Sequence, residues 1–377
     1  MKIFFVAGEA SGDQHGSRVI AEIKKLQPAS EIVAWGGDLM QNEGAKLLSH
    51  YKDRAYMGLV EVIKNIQAIK GYMKQAKADI LSENPDAIVF VDNPGFNLPL
   101  AQFAKKHGIP VHWYIAPKAW AWNKGRVKTM RKCIDHLYVI FPFEVSFFEG
   151  LGMPCTYVGN PTYESVVAFN KSQINESTKE TESKKRPTVA ILAGSRKNEV
   201  FTLLPNFIKV ANRIQDVEVV VAGAPGLSLD FYEEILKTNG LKARIEFNKT
   251  FDILHKAKIT GGMALVASGT ATLETALFKV PQVVAYRVNK ITYFVGKQLL
   301  KIPYISLVNI LLQRNLVEEH LQKMDVETLW NAVQRLQEIS TQKYILDGYD
   351  ELWNQLSAKG TNVSENVAKL VLGSPHK

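Results

Sequence analysis

Asp92 follows the run Asp86–Val91, which is apolar after its first residue and reads as a buried strand. In open α/β sheets, ligands gather beyond the carboxyl ends of strands, so a carboxylate at this point is well placed to act. In a cleft, and within reach of a hydroxyl, it would serve as a general base. It would equally cap the next helix or form an Asx turn, and the residues alone do not separate these uses. A second group suits an anion. The apolar residues 264–267 lead into Ser268-Gly269-Thr270, and a helix follows from Thr272 to Lys279. The first turn of such a helix has unpaired N–H groups and partial positive charge. Glu274, one turn in, would either accept hydrogen bonds from a sugar whose phosphates lie at the turn or act as an ordinary N-terminal carboxylate. The third group is Gly194-Ser195-Arg196, after the strand Thr188–Leu192. A guanidinium there can clamp a diphosphate. The helix dipole slightly disfavours a cation at a helix start, which speaks for a ligand rather than for an idle surface arginine.

Other chemistries are not signalled. No D-x-D, G-x-S-x-G, H-E-x-x-H or G-x-x-x-x-G-K-[ST] motif is present. No metal and no cofactor are therefore expected, and a leaving diphosphate would be stabilised by the helix dipole, hydroxyls and arginines. The first loop carries Gly8, Gly12 and Gly16, a spacing that misses the dinucleotide fingerprint. Its residues Glu9, Ser11, Gly12 and Asp13 either approach a ligand or form a tight strand–helix turn. Trp120 and Trp122, beside Lys118, either pack a domain edge or line an apolar binding surface. Cys133 and Cys155 show no disulfide or metal spacing and read as packing residues.

The elements that must hold these residues alternate between strand and helix. Strands are expected at Lys2–Ala7, Glu31–Trp35, Asp86–Val91, Val111–Ile115, Asp135–Ile140 and Cys155–Gly159. After the polar stretch Asn170–Arg186 the pattern restarts at Thr188–Leu192, Glu218–Ala222, Arg244–Phe247, residues 264–267 and Gln282–Tyr286. This predicts a first domain over 1–168, a linker over 169–186 and a second domain over 187–344. A C-terminal helix at about 345–377 has the option of packing back on the first. Apolar residues from Leu59 to Met73 step by three and four, with lysines between them. That segment is a core-facing helix or a basic amphipathic helix for an anionic membrane. Residues 290–304 mix aromatic, aliphatic and lysine residues and suit a membrane-facing or inter-domain surface. The chain has 377 residues, 46% hydrophobic and 22% charged, with a formal net charge of +9. No basic run suggests nucleic acid, and a phosphorylated substrate or anionic surface is the more modest reading. No signal peptide or membrane-spanning run is read.

Eight stretches in order carry a family resemblance: VAGEASGD at 6–13, MGLVEV at 57–62, VDNPGFN at 91–97, APKAWAW at 116–122, AGSRKNEV at 193–200, ASGTATLE at 267–274, VVAYR at 283–287 and SLVNILLQRNLVEE at 306–319. Together they resemble the lipid-A-disaccharide synthases. The resemblance implies an α/β fold of two Rossmann-like doubly wound domains, the GT-B glycosyltransferase architecture, with a cleft between them. It implies inverting transfer from UDP-2,3-diacylglucosamine to 2,3-diacylglucosamine 1-phosphate, peripherally on the cytoplasmic side of the inner membrane. Homo-oligomerisation is left open. Asp92 would be the general base. Gly194, Ser195, Arg196, Ser268, Gly269, Thr270, Thr272, Glu274, Arg287 and Asn309 would serve the donor. Glu9, Ser11, Gly12, Asp13, Trp120 and Trp122 would line the acceptor side. The chain departs from the family pattern at Asn123, Asn160, Val308 and Gln313. Two rivals are another UDP-GlcNAc-using enzyme of the same architecture, including an epimerase, and a non-enzymatic nucleotide-sugar-binding protein.

Overall fold

The computed structural model describes residues 1–54, 66–176, 186–287, 304–322 and 324–373. It divides into one unit of Met1–Pro161 with Lys359–Lys377 and another of Thr162–Ala358. Each is a parallel sheet with helices between strands. The first contains β1 (Lys2–Ala7), β2 (Glu31–Gly36), β3 (Lys46–His50), β4 (Ala87–Val91), β5 (Val111–Tyr114), β6 (His136–Val139) and β7 (Thr156–Tyr157), ordered β3-β2-β1-β4-β5-β6-β7. The second contains β8 (Thr188–Leu192), β9 (Glu218–Gly223), β10 (Arg244–Phe247), β11 (Met263–Ala267), β12 (Gln282–Tyr286) and β13 (Glu318–Leu321), ordered β10-β9-β8-β11-β12-β13. In both sheets the chain moves outward one way, returns to the centre, and moves outward the other way. The strand order therefore reverses between β1 and β4, and again between β8 and β11.

The central strands are continuous apolar runs because both faces of a parallel sheet are covered. On one face of the first sheet Phe4, Trp35, Ile88, Phe90 and Trp113 are buried. On the other, Phe5, Val89, Val91 and Tyr114 pack with Val363, Val367 and Val371. Each such side chain contributes about 1.5–3 kcal/mol on full burial. The last helix, Val363–Leu372, thus completes the first core although it follows the whole second unit in sequence. The single C-terminal helix expected at about 345–377 is two, Ile339–Ser357 and Val363–Leu372, parted by a turn in which Gly360 has φ +74°. The helix Pro161–Glu176 runs into the expected linker, so its first residues are ordered rather than extended; residues 177–185 lie outside the described residues. The same holds for residues 55–65, which include MGLVEV, and for residues 288–303. The helix Ile66–Glu83 covers the remainder of the basic amphipathic segment. Among the described residues no helix is long and apolar enough to cross a membrane.

Candidate functional sites at the two switch points

In the first sheet Ala7 lies opposite Val91, so the loops leaving β1 and β4 start side by side. They touch closely: a Cβ on Gly8 would sit 1.8 Å from Asn93 Nδ2. Asp92 and Asn93 have φ +45° and +44°, and Ile115, leaving the neighbouring β5, has φ +65°. Left-handed backbone is tolerable for Asp and Asn but an outlier for a β-branched residue. The turn is held by Asp92 N donating to Tyr114 O at 3.0 Å. It is held also by buried Asn97, whose Nδ2 donates to the carbonyls of Asp92 at 2.9 Å and Val91 at 3.3 Å. The Asp92 carboxyl is pushed up to about 6 by burial and by the Glu9 charge, against the pull of Lys118, the Asn93 N–H and Arg126. A carboxylate with that affinity for protons is suited to accept one near neutral pH.

The other first-unit candidates divide. Glu9 precedes the helix Ala10–Leu26 and accepts a hydrogen bond from Ser11 Oγ at 2.6 Å. Gly12 backs onto Ala7, with 3.1 Å between the two Cβ positions. Asp13 is buried and accepts from the N–H groups of Gly37 (2.8 Å), Leu39 (3.1 Å) and Met40 (3.1 Å). Expected on the acceptor side, Asp13 uses its carboxylate to brace the start of the helix Asp38–Asn42. Trp120, also expected there, is half-buried. Its Nε1 donates to Glu144 Oε1 at 3.0 Å, and its ring meets Phe143 edge-on with centroids 5.1 Å apart. The Trp122 side chain lies outside what the structure describes.

In the second sheet Leu192 lies opposite Val266, so the loops after β8 and β11 also leave together. Gly194 has φ +111°, and an added Cβ would meet Glu199 Oε2 at 2.6 Å. Glu199 Oε2 accepts from the N–H groups of Ser195 (3.1 Å) and Arg196 (3.3 Å), and its Oε1 accepts from Arg196 Nη1 at 3.2 Å. The Arg196 side chain remains 62% exposed. Tyr286 lies near this pair: its hydroxyl pKa is raised by burial and by Glu199, and opposed by Arg196. Arg287 follows it and is exposed.

Gly269, at φ +142° with open space where a side chain would be, precedes the helix Thr270–Leu277. Thr270 is exposed. Thr272 is buried, its hydroxyl donating to Gly269 O at 2.8 Å and accepting from Leu307 N at 3.2 Å. Ser268 Oγ donates to Ile305 O at 2.6 Å. Glu274 is half-buried and, among the described residues, its carboxyl has no hydrogen-bond or ion-pair partner. Burial pushes it up to about 7. Asn309, expected near the donor, is fully buried. Its Nδ2 reaches Val317 O (2.8 Å), Glu319 Oε1 (2.8 Å) and Asn315 Oδ1 (3.1 Å), while its Oδ1 accepts from Leu316 N (2.8 Å) and Val317 N (3.0 Å). Glu319 also accepts from the N–H groups of Ile305 and Ser306 at 2.8 Å each, so this network props the loop that Ser268 and Thr272 lean on.

Glu199, Tyr286, Asn97, Glu144 and Glu319 were not among the expected site residues. Two of them had a readable signal: Glu144 and Glu199 each stand three residues into a helix, where a carboxylate reaches back to the N-cap N–H.

Comparison with known proteins follows this geometry. A family model described as lipid-A-disaccharide synthetase matches residues 3–371. The lipid-A-disaccharide synthase of Myxococcus xanthus (strain DK1622) is 33% identical over 378 residues, covering 98% of this chain and 97% of that protein. That of Syntrophus aciditrophicus (strain SB) is 36% identical over 326 residues, covering 85% of this chain and 84% of that protein. Among solved structures, the UDP-GlcNAc 2-epimerase from Neisseria meningitidis bound to UDP-GlcNAc has TM-score 0.67 at 11% identity, covering 99% of this chain and 100% of that one. The S. aureus MnaA–UDP co-structure has TM-score 0.64 at 14% identity, covering 99% of this chain and 97% of that one. At such identities the likeness concerns the fold alone: two Rossmann-like units of the GT-B kind.

Proposed function

The chain belongs to the lipid-A-disaccharide synthase family, and from that membership we infer its activity and propose the residues that carry it. It is a UDP-sugar hexosyltransferase. It transfers 2,3-diacylglucosamine from UDP-2,3-diacylglucosamine to the 6-hydroxyl of 2,3-diacylglucosamine 1-phosphate, giving the β-1,6 disaccharide 1-phosphate and UDP. The observation that supports the assignment of roles is the pair of switch points: one ends in a carboxylate raised to about 6, the other in a glycine turn with open space over Gly269 and a glutamate that, among the described residues, has no partner for its carboxyl.

The reaction is a single displacement. The acceptor O6 attacks the donor anomeric carbon, the bond from that carbon to the diphosphate oxygen breaks, and the O6 proton passes to Asp92. Backbone N–H groups of Gly269 and Thr270 at the helix start, with Arg196, stabilise the diphosphate as it leaves. Glu274 accepts from the UDP ribose, which gives its bare carboxyl the partners it lacks. Glu9 and Ser11 face the acceptor. The net charge of +9 favours an anionic inner-membrane surface, held peripherally from the cytoplasmic side.

Wild-type protein given both acylated sugars should yield the disaccharide by mass spectrometry. Asp92→Asn should lower kcat by about 10²–10⁴-fold and leave UDP affinity unchanged by calorimetry. No disaccharide from folded wild-type protein would overturn the activity, and near-wild-type turnover in the variant would end the base assignment. Water-soluble UDP-GlcNAc turned over without a lipid acceptor would mark an epimerase instead.

A further inference from the structure

Glu144 is 1% exposed, a carboxyl placed almost wholly out of water at the start of the helix Pro142–Glu149. Burying such a group is costly unless its oxygens are hydrogen-bonded. Its Oε2 takes the N–H groups of Ile140 (3.1 Å) and Phe141 (3.0 Å), in the turn after β6. That use is local and would satisfy a helix cap. Its Oε1 takes the indole N–H of Trp120, 24 residues earlier in the loop after β5. One carboxyl therefore ties together the turns that leave two adjacent strands. Trp120 belongs to the short helix Ala119–Trp122, whose N-cap is Lys118. Lys118 lies in the field of both carboxyls, Asp92 and Glu144. Lys118 O accepts from Ala121 N at 3.0 Å, while among the described residues its ammonium has no hydrogen-bond or ion-pair partner, so the backbone of this loop fixes where its charge sits.

We propose that Glu144, acting through Trp120, is a positioning residue that holds Lys118 beside the general base. The proposal rests on the reading of Asp92 as that base. The groups that face Asp92 are Glu9, which raises its proton affinity, and Lys118 and Arg126, which lower it. Lys118 is on the braced loop, two residues from Trp120. Arg126 begins the next helix, Arg126–Cys133, and its backbone N–H donates to Asn123 Oδ1 at 3.2 Å. Releasing the brace thus acts first on Lys118, two residues from Trp120, and less directly on Arg126. With Lys118 displaced, Asp92 binds its proton more tightly, and the acid limb of kcat moves to higher pH.

The test is the pH dependence of kcat for disaccharide formation. Trp120→Phe keeps a ring against Phe143 and removes only the N–H. Its acid limb should move up by roughly 0.5–1 unit, at or just below the 1–3 units that a close opposite charge supplies, since Lys118 is exposed. Lys118→Met should move the limb by the same amount, and the double variant no further than either alone. Glu144→Gln cannot satisfy all three donors through one amide oxygen, so its limb should move likewise while persisting. An unmoved limb in Trp120→Phe, full additivity in the double variant, or loss of the limb in Glu144→Gln would each overturn the proposal. The Asp92 reading fails separately, and visibly, if wild-type protein shows no acid limb near 6.

Discussion

The two switch points share a topology and differ in how their backbone turns. At the first, Asp92, Asn93 and Ile115 hold positive φ without being glycine. At the second, positive φ falls to Gly194 and Gly269. Strained non-glycine residues cost on the order of 1–3 kcal/mol each and persist only where their surroundings over-determine them. Asn97 and the bond from Asp92 N to Tyr114 O supply that at the first turn. On the roles proposed above, the contrast follows from what each turn would present. A general base is a side chain, so its turn cannot be glycine, however cheap glycine would be. A diphosphate cradle is backbone N–H, so side chains there are an obstruction, and the open space over Gly269 is the useful feature.

The second turn, whose Ser268 and Thr272 lean on the loop at 305–307, is braced from outside as well, and that brace is where the largest effect is expected. Asn309→Ala would strand the N–H groups of Leu316 and Val317 and undo one bond to Glu319. At about 1–3 kcal/mol for each buried group left unpaired, denaturant unfolding of the second unit should show a loss of about 3–5 kcal/mol. UDP affinity should fall with it, while the acid limb assigned to Asp92 stays in place. A limb that moved as well would mean the two turns are not independently held.

This brace also marks the limit of what the sequence makes legible. The inner strands could be read because a strand covered on both faces is an apolar run, as in AIVFV and MALVA. Of the edge strands, β10 (RIEF) could be read, but β3 (KLLSH) and β13 (EEHL) could not, since their polar residues hide the pattern. Among the site candidates, those whose position is set by the adjacent backbone were legible in place: Asp92 at a strand end, and the glycine turns. The partners of Asp13 and Asn309 were not, because a polar residue in a loop looks the same whether it faces substrate or backbone. Their partners lie at Gly37–Met40 and at Asn315–Glu319, and only the folded chain brings them together.

A smaller effect separates the two carboxylates. Glu274, like Asp92, is raised, but among the described residues it has no partner. Its folded value of about 7 lies above the ordinary 4.5. Between those values the folded state holds a proton that the unfolded state has lost, so stability falls as pH rises from about 4.5 through about 7. Glu274→Gln should therefore raise Tm at pH 8, by roughly 2–4 °C for about 1 kcal/mol in a unit of this size, and by less at pH 5. The same change should weaken UDP binding by calorimetry, the usual cost of a site held ready for a ligand. A variant that binds UDP as tightly as wild type would remove Glu274 from the donor site.

The smallest effect probes the comparison itself. Asn93→Gly places at the first turn the residue that the second turn uses. Glycine adopts φ near +44° freely but enlarges the unfolded ensemble, and the two tendencies oppose, so folding stability should change by less than about 1 kcal/mol. Turnover should respond more than stability does. Asn93 packs its side chain over Gly8, and without it the turn that aims Asp92 loses a wall. A loss of roughly two- to tenfold in kcat with donor KM unchanged is expected, since small misplacements of a reacting group are costly. If kcat and stability were both unaffected, the strained residues at the first turn would owe nothing to the base, and the difference between the two switch points would be one of sequence history rather than of chemistry.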